Sequence, residues 1–174
     1  MKKTFLALAA GIITALTAHA QNKKMNLGAD KLKAFQTSET VSEFSGADNK
    51  YLVNLKALRD FTKTYKTVTN ENWYIVQDGF IAKFKKNNIQ NRVDYDKKGN
   101  WLTTFRYYGE DQLPREVRHL VKSTYYDYAI TLVNEIKTGS KTIYIVHMAD
   151  KTSWVNLRVC DGEMEVAEQL DKSY

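Results

Sequence analysis

VDYDKKGNWLTTF, residues 93–105, holds two aspartates, a glycine and a tryptophan within one short span. A calcium loop of the EF-hand type needs oxygen ligands at positions one, three and five, glycine at six and glutamate at twelve. Counting from Asp94, Lys98 stands at position five and an aromatic ring at position twelve. Asp96 and Gly99 instead fit the first and fourth positions of a type I turn closed by a glycine bulge. The stretch therefore predicts a tight hairpin turn between two strands, not a metal loop.

The segments on both sides of this turn alternate between apolar and polar residues, which is typical of half-buried strands. Upstream, NWYIVQ and FIAKFK are joined by Asp78 and the glycine after it, a strong hairpin signal. An apolar stripe at helical spacing precedes these strands, with Asp48 and Asn49 as candidate caps. The members of that stripe are Val53, Leu55, Leu58, Phe61 and Tyr65. Residues 51–112 are therefore predicted to form one helix followed by four strands.

The same order of elements repeats in residues 113–174. Pro114 suits the first turn of a helix, because its missing N–H would be unpaired there anyway. Four alternating segments follow, the last two joined by Asp161 and Gly162: YAITLVNEIK, KTIYIVHM, SWVNLRV and EMEVAEQL. The two units stand about 60 residues apart, a spacing at which an internal repeat is meaningful. The predicted fold class is α+β, a tandem repeat of a helix followed by a four-stranded antiparallel sheet.

Residues 1–20 carry the features of an export signal. A positively charged start leads into an apolar run over residues 5–16, and an A-H-A motif ending at Ala20 supplies the small residues that a signal peptidase inspects. We expect cleavage between Ala20 and Gln21, which places the protein in the periplasm or outside the cell. Residues 21–50 are polar and form a predicted leader segment.

The charge and cysteine content limit the classes of partner. The chain has 26 basic and 20 acidic side chains, a formal net charge of +6. Loss of Lys2 and Lys3 with the signal peptide leaves a net charge of +4, spread along the chain and too weak to indicate nucleic acid. Cys160 is the only cysteine, so no intramolecular disulfide is expected and the residue is interpreted as a small strand residue. No integral membrane segment is expected after signal cleavage, and the oligomeric state is left open.

No catalytic or metal-binding constellation stands out in the sequence. After signal cleavage His119 and His147 are the only two histidines, and their spacing matches no paired-histidine zinc motif. Cys160 and His147 are interpreted as two ordinary strand residues rather than a nucleophile pair. The chain has no G-x-S-x-G nucleophile elbow, phosphate loop or dinucleotide fingerprint. We therefore predict that the protein is not an enzyme and binds no cofactor and no metal.

Strand alternation divides the residues of each unit between two faces of a sheet. The face that meets the first helix should carry Trp73, Ile75, Phe80, Ala82, Phe84, Val93, Tyr95, Trp101 and Phe105. The opposite face should carry Tyr74, Lys83, Arg92, Asp94, Arg106 and Tyr108. In the second unit, Val155, Leu157 and Val159 are predicted to be buried, and Trp154, Asn156 and Arg158 to face outwards.

The outward residues include Tyr, Trp and Arg, the side chains that dominate protein-binding hot spots. A water-exposed sheet face also carries such residues without any binding role, so both interpretations stay open. The candidate partner-binding residues are Tyr74, Asp78, Lys83, Arg92, Arg106, Tyr108, Trp154 and Arg158. Asp78 is included only because it lies at a predicted hairpin tip.

Several of these motifs together resemble a known family. NWYIVQDGFIAKF, VDYDKKGNWLTT and LPREVRHLVKSTYYDYAI are similar to segments of exported PepSY-like proteins of the β-lactamase-inhibitor-like superfamily. The resemblance covers about residues 51–170 and implies a tandem of helix-plus-four-strand units, an exported location and no cofactor. The inhibitors that give the superfamily its name grip an enzyme with the concave face of their sheets. No inhibitory residue can be matched in this chain by motif.

The sequence favours an exported, non-catalytic binding module that recognises a protein or peptide through exposed sheet faces. Inhibition of a secreted hydrolase is one form that such recognition takes. Two alternatives stay open. One is an envelope hydrolase that uses carboxylates which the sequence cannot pair. The other is a small-ligand carrier, which would need an enclosed apolar cavity.

Overall fold

The computed structural model of the protein describes residues 47–173. The predicted signal peptide and most of the predicted leader lie outside this range. A 3₁₀ helix precedes each α-helix, at Ala47–Leu52 and at Glu110–Gln112. The α-helices are α1 (Leu55–Thr64) and α2 (Arg115–Thr124). The strands are β1 (Asn72–Val76), β2 (Gly79–Lys86), β3 (Ile89–Asp96), β4 (Trp101–Tyr108), β5 (Ala129–Thr138), β6 (Lys141–Ala149), β7 (Ser153–Cys160) and β8 (Glu163–Asp171).

All eight strands pair in sequence order into one antiparallel sheet. β4 pairs with β5 from Thr103↔Thr138 to Tyr108↔Val133, so the sheet continues across the boundary between the two predicted units. The expectation of a separate four-stranded sheet in each unit is therefore wrong. Separate sheets would leave β4 and β5 as edges with unpaired backbone groups, and their pairing satisfies both edges. The α+β class and the order of helices and strands agree with the sequence prediction.

Both helices lie on the same side of this sheet. α1 packs against a cluster that contains Val93, and α2 packs against a cluster that contains Val133. Residues opposite one another on paired strands share a face, and the pairs Val93↔Thr104 and Tyr108↔Val133 link the two clusters through β4. We call this side the helix face and the other side the open face.

The start of α1 is set by a cap that the sequence analysis missed. The Asn54 side chain accepts a 2.9 Å hydrogen bond from the Lys56 N–H, and the helix begins at Leu55. The predicted caps, Asp48 and Asn49, belong to the preceding 3₁₀ helix instead. The helix therefore begins several residues later than the predicted caps suggested.

The core under α1 is aromatic. Ala57 and Phe61 are the buried residues of the helix, whereas Leu55, a predicted member of the stripe, is 57% exposed. The Phe61 ring meets the Trp73 ring at 5.3 Å and the Phe84 ring at 5.2 Å, both edge-on. Edge-on contacts of this kind stabilise a core beyond the area that they bury.

The core under α2 is mostly aliphatic, and among residues 47–173 Tyr108 is its one buried aromatic residue. Pro114 immediately precedes the helix, and its carbonyl accepts a 2.9 Å bond from the Arg118 N–H, as expected for a proline at a helix start. Val117 and Val121 are the buried residues of α2 and pack on the strands β5, β6 and β7. Within the described range no helix has the length and apolar character needed to cross a bilayer.

The sequence predicted two hairpin turns from Asp-Gly pairs, and the structure contains a hairpin at each place. Asp161 and Gly162 form the two-residue loop between β7 and β8, with φ of 53° and 80°, as predicted. The hairpin between β1 and β2 is also present, but its two-residue loop is Gln77 and Asp78, one residue earlier than predicted. The glycine that follows is the first residue of β2, so it begins a strand rather than completing the turn.

The turn of residues 93–105 has the predicted type I geometry with a glycine bulge. The Gly99 N–H donates to the Asp96 carbonyl at 2.9 Å, and the Asp96 N–H donates to the Asn100 carbonyl at 2.9 Å. Gly99 has φ of 76°, which costs glycine little. The Asp96 carboxylate accepts the Asn100 N–H at 2.8 Å, so it stabilises the turn rather than a metal loop.

This turn also contacts α1. A Cβ atom on Gly99 would lie 2.8 Å from the Ala57 backbone N and 2.8 Å from the Asn54 side-chain oxygen. The Asn54 amide donates to the Lys97 carbonyl at 3.3 Å, and Lys56 donates to Asn100. The glycine therefore serves both the turn and the close approach of the helix.

An extra residue in β4 changes the faces that alternation predicts. β3 and β4 pair as Asp94↔Thr103 and then Tyr95↔Trp101, so Leu102 is an inserted residue. Such an insertion moves each later side chain of the strand to the face opposite the one that simple alternation predicts. As a result, the predicted positions of three residues are wrong. Arg106 and Tyr108 lie on the helix face, and Phe105 lies on the open face.

Asp96 makes the turn sensitive to acid. The side-chain and backbone N–H groups of Asn100, in that order, hold the pKa of the Asp96 carboxyl below its usual range. A carboxyl with a depressed folded-state pKa stabilises the fold above its unfolded pKa, and this contribution is lost as the pH falls through the folded pKa. We expect the stability of Asp96→Asn to fall less than that of the original protein on acidification below about pH 4. Denaturant unfolding at a series of pH values measures this difference, and parallel curves would contradict it.

Candidate functional site

The open face is a broad surface on which no helix of residues 47–173 packs. Seven inter-strand spacings give a width of about 34 Å, and eight-residue strands such as β3 are about 26 Å long, roughly 900 Å² in all. A standard protein–protein interface covers about 800 Å² on each partner. The residues that define this face include Tyr74, Lys83, Arg92, Phe105, Ile136, His147, Trp154, Arg158 and Glu165.

Charge is distributed unevenly across the open face. Lys83 and Lys85 project from β2, whereas Glu163, Glu165 and Glu168 project from β8. β2 and β8 are six spacings apart, about 29 Å. Lysines therefore lie towards one edge of the face and glutamates at the other, where Arg158 neutralises Glu165. This order of charges favours a partner with the opposite arrangement.

Several open-face side chains are held in place by neighbours. Arg92 donates to both carboxylate oxygens of Asp94, at 2.7 and 2.9 Å, and Arg158 donates to Glu165 at 3.0 Å. The Lys83 ammonium lies 4.8 Å from the Tyr74 ring centroid, within the range of a cation–π contact. These contacts reduce the side-chain entropy that binding would otherwise remove.

Trp154 is the large exposed aromatic of the open face on β7. It is 48% exposed, and the Lys172 ammonium lies 5.0 Å from its ring centroid. On the neighbouring strand β8, Leu170 pairs with Trp154 and is 53% exposed. Asp171 then ends the strand just before Lys172. An exposed tryptophan beside an exposed leucine is a typical anchor for an apolar group of a partner.

His147 belongs to a row of polar side chains across β5 to β8. Its Nδ1 lies 2.7 Å from the Asn156 Oδ1, and its Nε2 lies 3.1 Å from the Asn134 Nδ2. Asn156 in turn donates to Glu168 at 2.8 Å. Burial lowers the pKa of His147, although the bond to Asn156 favours the charged form. The row links the centre of the open face to its acidic edge.

A concave surface lies on the helix face. It is a cleft of about 580 Å³ beside the end of α1, above the strands β3, β4 and β5. The residues that matter for its chemistry are Asp60, Tyr65, Tyr95, Trp101, Arg106 and Lys137. This cleft was not predicted from the sequence.

A buried carboxylate lies beneath the cleft. Glu135, whose side chain is 5% exposed, accepts hydrogen bonds from Arg106 at 2.8 Å and from the Tyr108 hydroxyl at 2.7 Å. The Lys137 ammonium lies 3.4 Å from its other oxygen. Two cations therefore share one carboxylate, and both cations line the cleft whereas Glu135 does not.

The tyrosines around the cleft stay protonated. Burial, strengthened by the Glu135 carboxylate, raises the pKa of Tyr108, and burial with the Asp60 carboxylate raises the pKa of Tyr95. The Tyr95 hydroxyl donates to Asp60 at 3.0 Å. Burial also raises the pKa of Tyr65. Each of the two carboxylates near the cleft thus accepts a hydrogen bond from a tyrosine.

The eight candidate partner-binding residues separate into three groups. Tyr74, Lys83, Arg92, Trp154 and Arg158 lie on the open face, near two different parts of it. Asp78 is exposed in the loop between β1 and β2. Arg106 and Tyr108 lie on the helix face, and Tyr108 is only 6% exposed. A partner that binds the open face therefore cannot contact Tyr108. For the other residues, partner binding stays a prediction.

Other candidate chemistry finds little support in the described part of the chain. Cys160 is 7% exposed, and burial raises the pKa of its thiol. It pairs across the strands with Ile143, whereas His147 pairs with Asn156, four residues along β7, about 13 Å away. Among residues 47–173, no group of three or more His, Cys, Asp and Glu side chains could hold a metal ion.

Comparison with known proteins identifies the fold. A scan against protein-family models finds no match, and a search of curated proteins finds none either. Among solved structures, a BLIP-like protein from Bacteroides fragilis NCTC 9343 is similar, with a TM-score of 0.55 and 21% identity over 72% of this chain and 92% of that one. A DUF2874 family protein from Bacteroides ovatus ATCC 8483 has a TM-score of 0.56 and 16% identity, over 68% of this chain and 87% of that one.

The description of a third similar structure mentions a cellular location. The structure is that of a Bacteroides eggerthii DSM 20697 protein, assumed to be periplasmic, with a TM-score of 0.53 and 17% identity over 68% of this chain and 88% of that one. At such identities the likeness shows the fold and not the function. The PepSY-like part of the resemblance and the export signal stay predictions. The chain has the fold of BLIP-like and DUF2874 proteins of Bacteroides.

Proposed function

We propose that the protein is a non-catalytic binding module of the cell envelope, and that a folded protein docks on its open face. The observation that carries this proposal is the position of both helices on one side of a continuous eight-stranded sheet. No helix of the described residues covers the other side, which forms a surface of interface size with aromatic and charged side chains on it. The BLIP-like neighbour supports a protein-binding role for this fold.

The charges of the open face indicate which charges a partner should carry. Lys83 and Lys85 would meet an acidic patch, while the β8 glutamates would meet a basic one about 29 Å away. Such complementarity mainly increases the association rate, and salt screens it. We therefore expect association to slow as the salt concentration rises, with a smaller effect on dissociation.

A location in the periplasm or outside the cell completes the proposal. The apolar run and the A-H-A motif before Gln21 support export, and so does the neighbour assumed to be periplasmic. Sequencing the N-terminus of the protein recovered from a cell that exports it would test cleavage before Gln21. An intact N-terminus would contradict the signal peptide.

Open-face variants test the binding role directly. The protein is immobilised, envelope and secreted fractions are passed over it, and the affinity of each retained protein is measured. We expect Trp154→Ala and Arg158→Ala to weaken binding of the partner at least about ten-fold, the effect of losing roughly 1.4 kcal/mol at a hot spot.

Helix-side variants with matched chemistry serve as controls. Tyr126 is 72% exposed in the segment after α2, and Arg115 is exposed at the start of that helix. Tyr126→Ala and Arg115→Ala should leave the affinity unchanged. Binding that is lost with these two variants and kept with the open-face variants would contradict the proposal.

A further inference from the structure

We propose that the cleft on the helix face binds a small organic anion, with a carboxylate or phosphate group carried on a flat apolar body. The cleft lies on the opposite side of the sheet from the docking surface proposed above. The two sites could therefore be occupied at the same time. Its volume of about 580 Å³ falls within the usual range for small-molecule sites, about 300–1,000 Å³.

The charge of the cleft favours an anion. Arg106 and Lys137 line it with side chains that are 33% and 51% exposed, and both rest on Glu135, which is almost fully buried. Lys86 adds a third cation to the lining, while Asp60 is the one carboxylate among the lining residues. With Glu135 included, three positive charges face two negative ones. Glu135 is buried beneath Arg106 and Lys137, so the exposed charges of the lining are three cations and the Asp60 carboxylate, and one further negative charge would balance the site.

The shape of Arg106 suits a planar anionic group. One of its nitrogens donates to Glu135, and its guanidinium carbon lies 5.2 Å from the Tyr108 ring centroid, so two contacts restrict the guanidinium group. A guanidinium held in this way can present further N–H groups to a carboxylate or phosphate. Lys137 would add a point charge beside it.

The aromatic wall of the cleft suits an apolar body. Trp101 is 36% exposed, and its indole N–H donates to the Thr104 hydroxyl at 2.9 Å, which fixes the orientation of the ring. Tyr65 is half-buried and lines the cleft on the α1 side. The Tyr95 ring beneath it is only 2% exposed and is held by the bond of its hydroxyl to Asp60, so it supports the lining rather than offering area to a ligand. Rings held in place by hydrogen bonds lose little entropy when a flat ligand packs against them.

Nuclear magnetic resonance with simple probes tests this site. The protein is titrated with benzoate, phenyl phosphate, inorganic phosphate and benzyl alcohol, and the indole N–H signal of Trp101 is followed after its assignment with Trp101→Phe. We expect saturable shifts with benzoate and phenyl phosphate below about 10 mM. Inorganic phosphate should bind at least about five-fold more weakly than phenyl phosphate, because it lacks the apolar body. Benzyl alcohol, which lacks the charge, should give no saturation in this range.

Two charge-neutralising variants separate this site from general attraction to a basic protein. Lys137→Gln removes a cation of the cleft, and Lys85→Gln removes an exposed cation from β2 on the open face. Lys137→Gln should weaken benzoate binding about five-fold or more, and Lys85→Gln should leave it unchanged. The proposal is overturned by equal effects of the two variants, by shifts confined to open-face residues, or by no saturable shift with either aromatic anion.

Discussion

Replacement of Gly99 by alanine should lower the free energy of unfolding by about 3 kcal/mol. Two costs add at this position. The φ of 76° costs a residue with a Cβ atom about 1–2 kcal/mol. The new Cβ atom would also lie 2.8 Å from the Ala57 backbone N and from the Asn54 side chain. The start of α1 must then move away from the turn, which disturbs the Asn54 cap, itself worth about 1 kcal/mol.

A second glycine separates these two costs. Gly162 has φ of 80° in the loop between β7 and β8, and a Cβ atom there would meet nothing within 4 Å. Gly162→Ala should therefore show the conformational cost alone, about 1–2 kcal/mol. Urea or guanidinium unfolding of both variants measures the difference. Equal losses of stability would mean that the contact between the turn and α1 contributes nothing.

The turn shows what local sequence can and cannot predict. Its type followed from the spacing of Asp96 and Gly99, because turn geometry depends on residues next to one another in the chain. The contact of the turn with α1 could not be predicted from local sequence, because Asn54 and Lys97 are 43 residues apart in the chain. The same contact explains why the predicted caps of α1 were wrong, because Asn54 serves the helix and the turn together.

The faces of β4 show how one residue limits a prediction from alternation. Up to Trp101 the predicted faces agree with the structure, and beyond Leu102 they are reversed. An inserted residue leaves no clear mark in the sequence when its neighbours, Trp101 and Thr103, are themselves plausible strand residues. Tyr108, predicted to meet a partner, is in consequence part of the core that packs under α2.

The cleft depends on the same long-range pairing. Its lining comes from α1, β2, β3, β4 and β5, and Lys137 on β5 reaches it because β4 pairs with β5 in one continuous sheet. One signal in the sequence pointed towards it. Glu135 follows Val133 by two positions on β5, so alternation places a carboxylate on a core-facing row. A charge in such a row needs partners, and Arg106 and Tyr108 supply them.

Replacement of Glu135 by glutamine should cost about 2–3 kcal/mol of stability. A glutamine keeps the shape but has one acceptor oxygen, so its amide nitrogen must face either the pair formed by Arg106 and Tyr108 or the Lys137 ammonium. The loss stays below that of a fully buried ion pair because Arg106, at 33% exposure, can regain water.

An exposed ion pair provides the control for this prediction. Lys141 and Asp161 make a 2.9 Å contact with side chains that are 60% and 62% exposed, and Asp161→Asn should leave the unfolding free energy unchanged within error. Tyr108→Phe completes a double-mutant cycle with Glu135→Gln. Because the hydroxyl and the carboxylate act on each other, the double variant should lose less stability than the two single variants summed. A strictly additive cycle, or a Glu135→Gln variant as stable as Asp161→Asn, would show that the carboxylate does not hold Arg106 and Tyr108 in place beneath the cleft.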